Sequence, residues 1–204
     1  MVLKAWIEFA TEYILGDGVK TVRIEFNLRE DICPQTCENF RLLCKHKYNY
    51  WANPAFIKGI YPGYFIQAGA ILDRDPRAGS YAERKAREGG EAFLGGKMKD
   101  ENFTLKHDRL GVIGMANSGP DTNGCQFYIG LSTDNLRHMD GKNVVFGEVA
   151  GGAEDASWKG VMELVEKFPN FRASERRNLC VVNSGAEDRC VWSGCTWCEH
   201  PPSK

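Results

Sequence analysis

Three cysteines near the C-terminus, Cys190, Cys195 and Cys198, fall close together, with His200 just beyond them. Thiolates and imidazole are zinc ligands, and Cys195-Thr196-Trp197-Cys198 supplies one paired spacing. All four lie within eleven positions, and no second pair stands at the usual distance. The sequence is therefore read as needing no metal or other cofactor. Zinc is the alternative to a tail of reduced thiols with two exposed tryptophans, and a further alternative has Trp192 and Trp197 docked on the rest of the chain or on a partner. Elsewhere the common signatures of catalysis are missing. There is no glycine-rich phosphate loop, no Gly-x-Ser-x-Gly elbow and no His-Glu-x-x-His, and the four histidines are scattered, which disfavours a hydrolytic triad. The most distinctive stretch runs from Gly111 to Phe146 and carries polar and aromatic residues without any of these signatures.

The elements that would position this stretch are legible from periodicity. Trp6 to Phe9 and Val22 to Phe26 alternate in the manner of strands, and Gly16-Asp17-Gly18 marks a turn between them, so an opening hairpin is expected. Asp31 and Pro34 announce a helix on which Cys37, Phe40 and Cys44 share one apolar face. Trp158, Val161, Val165 and Phe168 predict a second helix. Short apolar runs lie between them at Tyr64–Ile66, Val112–Ala116, Gln126–Ile129 and Val144–Phe146. Many short strands with only two helices suggest a barrel or sandwich closed at its ends by helices. Asp73 to Gly90, rich in Arg, Glu and Gly, reads as a surface loop, and the chain after Asn183 is expected outside the core.

Composition narrows the functional classes. The 204 residues fit one domain with a short appendage. With 26 basic against 27 acidic residues, bulk positive charge for nucleic acid is absent. Arg84, Lys85 and Arg87 are interleaved with Glu83 and Glu88, as on a solvated face. No apolar run approaches the ~20 residues that span a bilayer, and the first nine residues do not resemble a signal peptide. The expectation is a cytoplasmic or nuclear protein, in which the eight cysteines default to reduced, packed side chains.

 The partners expected are neither nucleic acid nor membrane, and the chain is expected to act as a monomer.

Within the distinctive stretch, Gly111-Val112-Ile113-Gly114-Met115-Ala116-Asn117-Ser118-Gly119-Pro120-Asp121-Thr122-Asn123-Gly124-Cys125-Gln126-Phe127-Tyr128-Ile129 resembles the central motif of the cyclophilins, the cyclosporin-binding family of peptidyl-prolyl isomerases. Thr36 to Phe40 resembles the family's first-helix motif, and Pro62 to Gly69 its Pro-Gly-Phe strand. Asp100 to Phe103 and Asp140 to Gly147 complete an ordered series, and the resemblance covers roughly residues 4 to 186. It implies a mainly β fold, an eight-stranded antiparallel closed barrel capped by two α-helices, over residues 1–186, with residues 187–204 as a Cys- and Trp-containing tail. The implied reaction is rotation about an X-Pro amide in peptides and proteins, a step of protein folding. Its barrier of about 18–20 kcal/mol comes from amide resonance. A catalyst need only grip the ring, hold the flanking backbone and stabilise the twisted amide, so the lack of the common catalytic signatures fits.

The resemblance assigns roles residue by residue. Tyr64, Phe65, Met115, Tyr128 and Met139 would wall the proline pocket, where the alternative for each is a place in the core. Gln67 would bind the substrate carbonyl oxygen, and Asn117, next to Ala116, would offer backbone groups to an extended peptide. Gln126, Ser118 and Thr122 fit the entrance of a neighbouring subsite, unless the last two simply face solvent. The family's catalytic arginine has no counterpart in kind. Gapless alignment from Pro62 puts Gly59 there, whereas one inserted residue, with Gly59 in a bulge, puts Lys58 there. Lysine keeps the charge but lacks the planar fork, and Lys58 is otherwise a surface charge at a strand end. Ile57 stands in place of the preceding histidine, His138 in place of a rim indole, and Asn143 where a histidine is frequent. Reduced turnover and weak cyclosporin binding are expected. The alternative function is a scaffold module that holds proline peptides without turning them over.

Overall fold

The computed structural model of the chain describes residues 3–14, 18–45, 55–71, 92–93, 95–151, 155–172 and 181–187. Strands β1 (Leu3–Ile14) and β2 (Gly18–Leu28) form the expected hairpin, with Ile7 opposite Ile24 and Ala5 opposite Phe26. The two-residue alternation sends Leu3, Ala5, Ile7 and Phe9 inward together with Val22, Ile24, Phe26 and Leu28. On the other face the Arg23 guanidinium lies 4.0 Å from the Trp6 ring centroid, so the polar side of this hairpin is also packed.

Helix α1 (Pro34–Lys45) begins at the proline, where a missing N–H costs nothing. Its first turn is served from a distance: the Glu101 carboxylate accepts from the amides of Gln35 (2.9 Å) and Thr36 (2.8 Å) and from the Thr36 hydroxyl (2.7 Å). Phe40 projects from this helix into an aromatic cluster, edge-on to Phe26 at 5.6 Å and to Phe127 at 5.1 Å between centroids. Cys37 and Cys44 are buried free thiols, as expected. Burial pushes both well up from the ordinary thiol value, and pushes Cys33 up to about 11, so these three stay neutral and pack as small hydrophobes.

The remaining described elements are β3 (Ala55–Phe56), β4 (Gly59–Tyr61), β5 (Phe65–Ala68), β6 (Ala70–Ile71), β7 (Val112–Met115), β8 (Phe127–Gly130), β9 (Val145–Val149), α2 (Ala156–Lys167) and β10 (Val181–Ala186). A short 3-10 turn covers Arg137–Met139. Helix α2 starts at Asp155, whose side chain accepts from the Ser157 amide at 2.7 Å, and it lays Val161 and Leu164 into the core. Its Gly160 lies close to Val22 and the Arg23 carbonyl, so the helix approaches β2 directly. No helix among the described residues is long and apolar enough to cross a membrane.

Eight strands make one antiparallel sheet in the order β10-β1-β2-β9-β7-β8-β5-β4, and β3 pairs with β6 separately. This corrects the expectation of a closed barrel: the sheet is a curled half-barrel with β10 and β4 at its two edges. The outer edge of β4 is already occupied, because the Ile60 amide donates to the Phe171 carbonyl at 3.0 Å and Gly59 bridges to Arg172. A strand edge bonded to the segment after α2 has no ladder left for β10. A second correction concerns the chain after Asn183. Strand β10 continues to Ala186 on β1, and the buried Ser184 hydroxyl donates to the Cys44 carbonyl at 2.7 Å. Residues 73–90 and the tail with Cys190, Cys195, Cys198 and His200 lie outside the described residues.

Candidate functional site

The β4–β5 hairpin sets the geometry. Tyr61-Pro62-Gly63-Tyr64 is a tight turn: proline supplies the fixed φ at its second position, Gly63 takes φ +75°, and the Tyr64 amide returns to the Tyr61 carbonyl at 2.9 Å. Before the turn, Ile57 and Ile60 are both 0% exposed and both belong to the core. Three residues apart, they could not share one face of a regular strand. The irregularity is at Lys58 and Gly59: Gly59 is registered against Gln67, and the Lys58 amide also donates to the Gln67 carbonyl at 2.7 Å. Two residues against one is bulge geometry, and it turns both Lys58 and Gly59 to the outer face, where Gln67 projects.

Glycine at 59 leaves a gap that a neighbour fills. A Cβ there would stand 2.6 Å from Cε2 and 2.7 Å from the hydroxyl oxygen of Tyr61, so the Tyr61 ring lies across the Gly59 backbone. Tyr61 also packs on Phe65, with 5.1 Å between centroids, and Phe65 on Tyr128 at 5.8 Å. Strand β5 is flanked by β8, so Gln67 stands between Gly59 and Tyr128. Its side-chain amide donates to the Gln126 side-chain oxygen at 2.8 Å, which fixes the carboxamide against the sheet.

Behind this face runs a buried polar chain. The Tyr128 hydroxyl sits over Gly114, where any side chain would collide with it. It lies 2.7 Å from Nε2 of His107, and Nδ1 of His107 lies 2.6 Å from the Asp140 carboxylate. Burial alone would push the Asp140 carboxyl up, but bonds from the His107 ring and amide outweigh it and hold the group below the usual range. The ionised carboxylate accepts from Nδ1–H, which leaves Nε2 as acceptor and makes the Tyr128 phenol the donor. Burial first, then the Asp140 charge, raises that phenol far above its ordinary value, so it remains a neutral donor.

A family model described as cyclophilin type peptidyl-prolyl cis-trans isomerase/CLD matches residues 17–171, well over half of the chain. The chain belongs to the cyclophilin-type peptidyl-prolyl isomerase family. The cyclophilin strands therefore place the residues expected at the site as follows. Gln67, Phe65, Tyr128 and Gln126 come together on the outer face of β5 and β8. Tyr64 is 47% exposed at the turn, whose position is held by the Leu131 amide on the Tyr64 carbonyl and by the Asn135 side chain on Gly63. Met115 is elsewhere: it is 1% exposed and opposite Phe127 on the inner, core side of the sheet. Met139 is half-buried and His138 exposed on the 3-10 turn.

The segment after β7 is held at both ends. The Ala116 amide donates to the Gln126 carbonyl at 3.0 Å, and the Asn117 side chain donates to the Lys142 carbonyl at 2.8 Å. Asn143 donates to the Met115 carbonyl at 3.0 Å, so it works as a strut in this cyclophilin. The main-chain N–H and C=O of Asn117 make no hydrogen bond among the described residues. Thr122 accepts from the Ser118 amide at 2.8 Å and donates to the Gly119 carbonyl at 2.7 Å, which shapes the loop beyond. The Lys58 side chain is exposed and unpaired among the described residues.

Sequence reasoning passed over Tyr61, His107 and Asp140. A Tyr two residues after a Gly on one strand was a signal for Tyr61, since such residues share a face. The His107–Tyr128 and His107–Asp140 contacts span 21 and 33 residues, and no local pattern announces them. A separate cavity of about 120 Å³, lined in part by Glu38, Asn39, Leu42 and Met98, shares no residue with the Gln67 face.

Proposed function

We propose that this cyclophilin-type chain binds X-Pro segments across the Gln67 face and catalyses their cis-trans isomerisation, at a rate reduced by the loss of the arginine. The observation that carries the reading is the fixed Gln67 carboxamide, braced by Gln126 and flanked by Phe65 and Tyr128. Its second N–H is open to the carbonyl oxygen of the residue preceding proline. Phe65, Tyr64 and Met139 would border the ring, and the unbonded Asn117 backbone would pair with the peptide as an added strand edge. Lys58, turned outward by the bulge, would supply positive charge beside the twisting amide. The buried thiols of Cys33, Cys37 and Cys44, none of them in a disulfide, suit a reducing compartment, the cytosol or nucleus, where the clients would be proline-containing proteins. Exposed His138 in place of an indole would weaken cyclosporin binding.

A coupled isomerisation assay on a short X-Pro peptide tests the reading. Acceleration over the uncatalysed exchange, which takes tens to hundreds of seconds, is expected, and it should fall on Gln67→Ala. The scaffold reading draws on one specific observation, Gly59 in direct register with Gln67, where the gapless alignment puts the arginine. Peptide binding without acceleration would decide for it.

A further inference from the structure

The twisted state of an X-Pro amide has a particular need. As the C–N bond rotates, resonance is lost and the prolyl nitrogen gains a localised lone pair. A hydrogen-bond donor aimed at that lone pair stabilises the twisted state and not the planar ground states, which is the condition for acceleration. Several donors on the outer face of β4, β5 and β8 are already engaged or lie in water. One N–H of Gln67 is committed to Gln126, and the Tyr128 hydroxyl is committed to His107. Lys58 is exposed to water, where a hydrated ammonium gains little from one more acceptor.

The Tyr61 hydroxyl differs from all of these. It is part of a half-buried side chain and makes no hydrogen bond among the described residues. Its oxygen stands 2.7 Å from the position of an absent Gly59 Cβ, directly across the ladder from Gln67. Paired Cα atoms in such a ladder are about 5 Å apart, so the hydroxyl and the Gln67 carboxamide border the same short stretch of groove. The ring cannot drift freely, because it is held between the Gly59 backbone and Phe65.

We propose that Tyr61 is a catalytic residue: its hydroxyl, carried over Gly59 by the bulged strand, donates to the prolyl nitrogen of the twisting amide. The inference rests on the isomerase reading and adds to it the donor that Lys58 does not provide. Gly59 is then a requirement of the site, since any side chain there would displace the ring that bears the donor. No bond to the enzyme forms and no proton is transferred; the hydrogen bond strengthens as the nitrogen loses conjugation and relaxes as planarity returns.

Tyr61→Phe tests this in the full chain, because it keeps the ring and its packing and removes one oxygen. Exchange of a short X-Pro peptide is followed by NMR, which yields turnover and peptide affinity in one titration. A fall of about five- to tenfold in kcat, with KM and the melting temperature little changed, is expected for one neutral donor. Equal kcat in Tyr61→Phe and the unaltered chain overturns the proposal while leaving the isomerase reading in place. So does a loss carried wholly by KM. If the unaltered chain binds peptide without accelerating exchange, the isomerase reading fails and this inference fails with it.

Discussion

Tyr128→Phe removes one oxygen from the buried chain that links Tyr128, His107 and Asp140. The ring volume is conserved, so no appreciable cavity opens, and the cost is concentrated at the partner. Nε2 of His107, whose side chain is 0% exposed, loses its donor and cannot reach water. A buried acceptor stripped of its partner costs about 1–3 kcal/mol. Taking about 2 kcal/mol, and about 2–4 °C per kcal/mol for a chain of this size, the melting temperature should fall by about 4–8 °C. Calorimetry at neutral pH measures it, with urea unfolding as the second reading. The double variant Tyr128→Phe/His107→Leu removes both polar partners, and should be less destabilised than the two single changes added together by about 1 kcal/mol or more. A melting temperature for Tyr128→Phe within about 1 °C of the unaltered chain would refute the reasoning. Strict additivity in the double variant would equally sink it, because it would mean that the two side chains are not coupled.

Asp140 gives a pH dependence with a definite sign. Its folded pKa lies below the ordinary aspartate value of 3.8, so its contribution to stability is fully present above that value and is lost as pH falls through the folded pKa. Asp140→Asn should therefore be less stable than the unaltered chain near neutrality, and the gap between their urea midpoints should close below about pH 4. Glu101→Ala takes away the three acceptor contacts at the start of α1 and should cost about 1–2 kcal/mol in urea unfolding, with Glu101→Gln recovering part of the loss.

The legible parts of this fold are those written in local periodicity. Leu3 to Phe9 and Val22 to Leu28 alternate clearly because one face of that hairpin lies in the core and the other is polar, and both helices carry apolar residues at helical spacing. Met115 shows where that legibility stops. Every residue of β7 and β8 is buried, so alternation vanishes and nothing local says which residues face the core and which face the site. The bulge at Lys58 and Gly59 was foreseeable as an insertion, but the consequence for Tyr61 depends on where a ring settles once the glycine leaves room. The open sheet has a similar origin. Whether β4 meets β10 or the segment at Phe171 is decided by competition for one row of backbone groups, which strand propensity does not register.

The bond from Ile60 to Phe171 also sets a timetable for synthesis. Strand β4 and its bulge leave the ribosome early, but their outer edge stays unsatisfied until more than a hundred further residues have been translated and α2 has formed. The same holds at the other edge, where β1 waits for β10. A nascent chain stalled before Phe171 would thus display Gly59, Ile60 and Tyr61 as a bare strand edge, open to capture by chaperones or by another copy. The β4 edge beside Gln67 is thus completed only after α2, although β4 itself stands in the first third of the chain.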